Sequence, residues 1–160
     1  MSFVQHNMIS WPDLQAYASL KLTERTHSLP RSKKVLAQYR AKLHAESSHG
    51  GDPGWNLHHR LFGDNWAPAV LTLNEYPYDV SADVTHYVVW FRSKRGRPVN
   101  WSRLIPRGAE YVHFANAPQN RSIEAIHHIH LFVRGAGSLM GKAWRRLLYD
   151  DYLLPLCGVW

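Results

Sequence analysis

The chain has little cysteine, few acidic residues and no long apolar run, and each shortage excludes a class of protein. A single cysteine, Cys157, rules out an internal disulfide framework and agrees with a reducing compartment. No apolar stretch approaches the roughly 20 residues that a membrane-spanning helix needs. Residues 1–7 lack the charged start and apolar core of a signal peptide. We therefore expect a soluble, cytoplasmic protein with no membrane partner.

The shortage of acids leaves the chain strongly basic. Nineteen Lys and Arg residues face twelve Asp and Glu residues, a formal net charge of +7, and such an excess favours anionic partners. Between residues 92 and 107 no acid interrupts the cations, which are Arg92, Lys94, Arg95, Arg97, Arg103 and Arg107. Three interpretations stay open: a solvated basic loop, a collar for a phosphorylated ligand, and a footprint for nucleic acid, of which nucleic acid is the least favoured.

Apolar and aromatic residues are plentiful, at 45% and 12% of 160 residues, which predicts one folded domain over residues 1–160. Ser10-Trp11-Pro12-Asp13 is typical of a helix start, and a second helix is expected from Ser32 to Gly50-Gly51. A short helix is expected near residues 57–62, and a terminal helix after Ser138 through Tyr152. Strands are predicted over 69–73, 84–91 and 126–134, with a further strand or helix end at 111–114. We expect an α+β fold with mainly antiparallel pairing, because the first connection is too short for a helical crossover.

Three histidines interrupt the last of these strands. Side chains on a strand alternate between faces, so His128 and His130 share one face with Phe132, while His127 points to the other. Two neighbouring imidazoles are costly to bury without partners, and they are suited to bind metal, to move protons or to attack phosphorus. This pair is the strongest indication of function in the chain.

Two segments resemble the histidine-triad (HIT) superfamily. The first is Ala-Val-Leu-Thr-Leu-Asn-Glu-Tyr-Pro-Tyr-Asp with Thr-His-Tyr-Val-Val-Trp-Phe, over residues 69–91, and the second is Asn116 with the block from Glu124 to Val133. More narrowly, the chain is similar to the fungal N-acetylglucosamine-induced proteins. The resemblance implies a HIT-like antiparallel sheet of about five strands with flanking helices. Residues 66–160 would form this core, residues 1–50 a helical extension, and two copies a homodimer.

The resemblance also implies an enzyme that acts on a phosphorylated small molecule, a nucleotide in particular, without a cofactor. His130 matches the histidine that attacks phosphorus, for hydrolysis or transfer, and His128 matches the histidine that holds the phosphoryl oxygens. The expected substrate-binding residues are Asn74, Asn116, Arg92, Arg134 and Glu124. The sequence departs from the superfamily at Phe132, which replaces the third histidine, and at Glu124, which replaces a Gln.

Two alternatives stay open. His128 and His130 with His86 or Glu124 could hold a divalent metal such as Zn or Fe, since His-x-His on one strand is a known ligand pattern. The chain could also be a binder of nucleotides, sugar phosphates or RNA whose chemistry was lost with the third histidine. Bound metal would distinguish the first alternative, and ligand binding without turnover the second.

Overall fold

The computed structural model describes residues 8–64, 66–139, 144–147 and 152–154. In these ranges one antiparallel sheet has the strand order β3-β4-β2-β1-β5. Its strands are β1 (Ala69–Leu73), β2 (Val84–Phe91), β3 (Glu110–Phe114), β4 (His128–Arg134) and β5 (Trp144–Leu147). The helices are α1 (Trp11–Ser19), α2 (Lys33–Ser48), α3 (Pro53–Phe62) and the short α4 (Trp101–Leu104). The expected α+β fold with an antiparallel sheet and an N-terminal helix is confirmed.

Local capping explains where the helices begin. Ser10 accepts from the Asp13 backbone N–H while the Asp13 carboxylate accepts from the Ser10 backbone N–H, a reciprocal capping box at the start of α1. Ser32 caps α2 through the Val35 backbone N–H. Asp52 caps α3, which begins with proline four residues before the predicted helix at 57–62.

The sheet has two unlike faces, and the rear face is the main hydrophobic core. Alternate residues of the central strands, including Leu71, Tyr87, Val89 and Leu131, are almost fully buried there. The connection from β2 to β3 adds Val99, Leu104 and Ile105 to the same core. The basic segment is therefore partly a covering layer of the rear face.

The front face carries a smaller core at each end. At one end α1 packs Trp11, Leu14 and Tyr17 near Phe114 and Phe132. At the other end α3 packs Leu61 and Phe62 on Val70. Between them the sheet carries His128 and His130, with Phe132 next along β4, so the predicted sharing of a face is confirmed. His127 lies on the other side of the strand, against Phe91 and Gly96.

The predicted terminal helix is wrong over residues 144–147. Residues 144–147 form β5, which pairs with β1 in the register Ala69↔Leu147 to Thr72↔Trp144. Leu147 is completely buried in the rear core. The open edge of β1 offers unpaired backbone groups and a core to fill, and these outweigh the helix propensity of Leu and Arg. The rest of that predicted helix, residues 140–143 and 148–151, lies outside the described residues.

No helix in the described part of the chain is long and apolar enough to cross a membrane.

Candidate functional site

A cavity of about 710 Å³ lies over the front face of the sheet, between the two smaller cores. Its floor includes Thr72 of β1, Trp90 of β2, and His128 and His130 of β4. The side chain of Trp90 is held by a 3.0 Å hydrogen bond from its Nε1 to Thr72 Oγ1. Helices α2 and α3 supply the opposite wall, so the N-terminal region builds the cavity together with the sheet.

His128 presents one free ring nitrogen. Its Nδ1 lies 2.9 Å from the carbonyl oxygen of Ile126, which can only accept, so Nδ1 carries the proton. Nε2 makes no hydrogen bond with any described residue. It is also not a buried atom cut off from solvent. The ring also packs 4.8 Å from Trp90, centroid to centroid. These contacts fix the ring and leave a lone pair at the cavity.

His130 has both ring nitrogens engaged. Its Nδ1 lies 3.0 Å from Nε2 of His86, and its Nε2 lies 3.1 Å from the side-chain amide of Asn116. The Asn116 amide also lies 2.9 Å from the Tyr78 hydroxyl. His130 is 4% exposed and His128 is 8% exposed, so the two rings differ in their partners more than in their depth.

Burial keeps these imidazoles neutral. Desolvation, reinforced by the charge of Arg31, holds the pKa of His86 well below its usual range. Desolvation does the same to the pKa of His130, with added repulsion from His86, His128 and Arg31. The pKa of His128 is lowered by desolvation, against the hydrogen bond to Ile126 that raises it. A neutral His128 is required for its Nε2 lone pair to act as a base or nucleophile.

The two predicted asparagines lie at the cavity. The Oδ1 of Asn74, a residue of the cavity wall, accepts a 2.9 Å hydrogen bond from the Tyr76 backbone N–H. The Nδ2 of Asn74 lies 3.2 Å from Nε2 and 3.4 Å from Nδ1 of His86. Asn116 is 4% exposed, and its Oδ1 is buried without a hydrogen-bond partner. An unpaired polar atom in a cavity wall is costly unless a ligand or water completes it.

Three predicted substrate-binding residues lie elsewhere. Arg92 donates to the carbonyl oxygens of Ala67 and Phe62 and lies over the Phe62 ring. Arg134 donates to Glu110 over 2.6 Å and covers Trp11. Glu124 is exposed and does not line the cavity. The structure therefore does not bring these three side chains together with the histidines.

The cations that do line the cavity come from the N-terminal region: Arg31, Arg40, Lys42 and Arg60. Sequence reasoning misses them because it places the core at residues 66–160, whereas three of these cations lie in the expected extension over residues 1–50 and Arg60 lies in the expected short helix near residues 57–62. A usable signal was present in α2, where Leu36, Tyr39, Arg40 and Leu43 follow one helical side at spacings i, i+3, i+4 and i+7, and Lys42 lies at its edge, three residues after Tyr39.

The alternative metal set is not assembled. Among the described residues, no group of three or more His, Cys, Asp or Glu side chains is placed to hold a metal ion. Nε2 of His86 and Nδ1 of His130 are 3.0 Å apart and share a hydrogen bond. Nδ1 of His128 is hydrogen-bonded to the carbonyl oxygen of Ile126. Glu124 does not line the cavity that His128 and His130 border.

No known family model matches the chain, and neither does any curated protein. The chain is similar to a solved structure described as "Crystal Structure of HTC1", with a TM-score of 0.58 and 16% sequence identity. The similarity covers 79% of this chain and 85% of that chain. At this identity the likeness concerns the fold alone.

Proposed function

We propose that this chain is an enzyme that binds a phosphorylated small molecule, with nucleotides as the leading class, and cleaves or transfers its phosphoryl group through an imidazole of β4. The observation that carries the proposal is the Nε2 of His128, which no described residue hydrogen-bonds, at a cavity whose wall carries four cations against the two carboxylates of Glu46 and Glu75. Cations offset the negative charge of a phosphorylated ligand, and an unprotonated imidazole nitrogen can attack its phosphorus atom.

His128 is better placed for attack than His130. The Ile126 carbonyl holds its ring and draws the proton to Nδ1, whereas both nitrogens of His130 are already bonded to protein groups. In the proposed step the Nε2 lone pair of His128 forms a bond to phosphorus. The bond from phosphorus to the leaving oxygen breaks, and that oxygen keeps the electron pair and takes a proton from water. Water or another acceptor then attacks phosphorus and releases the imidazole.

The surrounding side chains support this chemistry. Negative charge builds on the phosphoryl oxygens in the transition state, and Arg31, Arg40, Lys42 and Arg60 line the same cavity. The aromatic rings of Tyr39 and Tyr76, 5.1 Å apart, offer a surface for a base or sugar.

A substrate screen with histidine variants tests the proposal. Thermal shift against nucleotides and sugar phosphates selects ligands, and chromatography then measures their turnover. We expect His128→Ala to lower turnover at least about 100-fold, since it removes the attacking group. His127→Ala is the matched control, because that ring lies on the other face of the strand and should leave turnover unchanged.

Mapping of the covalent intermediate keeps the test independent of folding. Protein mixed rapidly with substrate and quenched in alkali should carry the phosphoryl or nucleotidyl group on the peptide histidine at position 128. An adduct on His130, or full turnover in His128→Ala, would contradict the assignment to His128. Ligand binding without turnover of any tested compound would favour a binding protein instead.

A further inference from the structure

The cavity wall contains a carboxylate held by two cations from different helices. Glu75 lies in the turn after β1, and its Oε2 is 3.0 Å from Lys42 Nζ of α2. Its Oε1 is 3.8 Å from a guanidinium nitrogen of Arg60 of α3. All three residues line the cavity. Two separate helices therefore direct a positive charge at the two oxygens of one acidic group.

These ion pairs are poorly placed to stabilise the fold. The side chains of Glu75 and Arg60 are 59% and 54% exposed, and that of Lys42 is 26% exposed. Exposed ion pairs contribute little to stability, because water screens the charges and the long side chains lose conformational freedom. A different reason for this convergence is therefore needed.

The arrangement suits an anionic ligand group. Carboxylate and phosphate both present paired oxygens to cations, and the planar guanidinium of arginine matches either group. Glu75 is itself kept ionised: partial burial raises its pKa, but the hydrogen bond and charge of Lys42 and the charge of Arg60 lower it overall. A phosphate carries more negative charge than this carboxylate, so it would compete well for the same two cations.

Helix α2 is free to accommodate such an exchange. None of its residues is buried, and polar contacts tie it to the rest of the chain, as between Lys42 and Glu75 and between Tyr39 and Ser122. Lys42 also lies 5.2 Å from the centre of the Tyr76 ring, which keeps its amino group at the cavity if Glu75 leaves.

We infer that Lys42 and Arg60 form a subsite for a second anionic group of the ligand, and that Glu75 occupies this subsite when no ligand is bound. The inference rests on the proposed function and narrows its substrate class. The ligand carries two anionic groups, a phosphoryl group over His128 and a second phosphate between α2 and α3.

Inorganic phosphate tests the subsite directly. Calorimetric titration at low salt and neutral pH should give an association constant at least about fivefold higher for Glu75→Gln than for the unchanged protein, because the competing charge is removed. Adding Lys42→Ala or Arg60→Ala to Glu75→Gln should abolish the gain. Adding Lys34→Ala should preserve it, since Lys34 is an exposed residue of α2 outside the cavity.

The outcomes separate this inference from the proposed function. The gain should persist when His128→Ala is added, since the subsite does not use that ring. Tighter phosphate binding by Glu75→Gln without turnover of any substrate would support the subsite and contradict the proposal of an enzyme. Turnover that needs His128, with unchanged or weaker phosphate binding in Glu75→Gln, would overturn the subsite alone. No phosphate binding by either protein, together with no turnover of any tested substrate, would overturn both.

Discussion

At the scale of single residues, the two histidines of the front face differ in what their nitrogens contact. The Ile126 carbonyl makes His128 a ring with its proton on Nδ1. In the deeper pair, the Tyr78 backbone N–H lies 3.2 Å from Nδ1 of His86, so that nitrogen must accept. A neutral His86 then carries its proton on Nε2 and donates it to Nδ1 of His130. His130 is thereby left with its own proton on Nε2.

This chain of donors also orients Asn116. A protonated Nε2 of His130 needs an acceptor, and the side-chain oxygen and nitrogen of an asparagine are assigned from such partners. With the amide oxygen toward His130 and Tyr78, the amide nitrogen takes the unpaired position in the wall.

The first prediction is that His128 and His130 hold opposite neutral tautomers. Nitrogen-15 chemical shifts of the imidazole rings at neutral pH should show a protonated Nδ1 in His128 and a protonated Nε2 in His130. His128→Gln and His130→Gln would assign the two sets of signals. The same tautomer in both rings would contradict the hydrogen-bond chain described here.

Residue-level reasoning from the sequence reached part of the site. The alternation of β4 placed His128 and His130 on one face, and the asparagines at positions 74 and 116 do lie at the cavity. Arg92 was expected there because it lies in a run of cations. Its place at the end of β2 instead directs it to the carbonyls around Phe62. Charge patterns in a sequence indicate that cations are abundant, but the tertiary fold decides which of them meet.

At the scale of secondary structure, elements with a strong local signal were predicted well. Strand β2 is dense in β-branched and aromatic residues, and α1 has a complete capping box, so local preference and tertiary packing agree. Strand β5 has no such signal. Its pairing depends on the free edge of β1, which lies more than 70 positions earlier in the chain. Long-range pairing of this kind leaves little trace in a short window of sequence.

Helix α2 is the element whose role the sequence concealed. Its 16 residues include none that is buried, in contrast to α1 and α3. The free energy of local opening falls where few apolar contacts are lost, so α2 should open more readily than the sheet. The α2 wall would then be the least stable part of the cavity.

The second prediction concerns exchange of backbone amides with solvent. Amides in the middle of α2 should exchange at least about tenfold faster than those of β2 and β4, measured by mass spectrometry of peptides after deuterium labelling. A ligand that bridges α2 and the sheet should slow exchange in α2 and leave α1 unchanged. Equal protection of α2 and the central strands would contradict this account.

At the scale of the whole molecule, the sheet divides the protein into a sealed side and a chemical side. The rear core is apolar throughout its buried cluster, whereas the front face interrupts its packing with buried His86, His128 and His130. Burying three imidazoles commits the folded state to neutral rings. The stability of the protein is therefore linked to pH.

The third prediction is that stability falls as the pH drops below about 6.5, the usual pKa of an unfolded histidine. Above that pH the rings are neutral in the folded and the unfolded state, so their titration does not change the free energy of unfolding. Below it the unfolded chain binds protons, while the folded rings resist them because desolvation lowers their pKa values. Each such ring can therefore lower the free energy of unfolding by up to about 1.4 kcal/mol per pH unit until its folded pKa is reached.

Urea unfolding at pH 7.5, 6.0 and 5.0 measures this slope. His44→Gln should keep the full slope of the free energy of unfolding against pH, because His44 is exposed on α2. His86→Gln should reduce that slope by the contribution of one buried histidine. Since unfolding would expose the whole front face, the slope reports on the molecule and not on one contact. If stability is flat over this range, the imidazoles must be charged or open to water in the folded protein. A neutral His128 nucleophile held in a desolvated cavity would then have no physical basis.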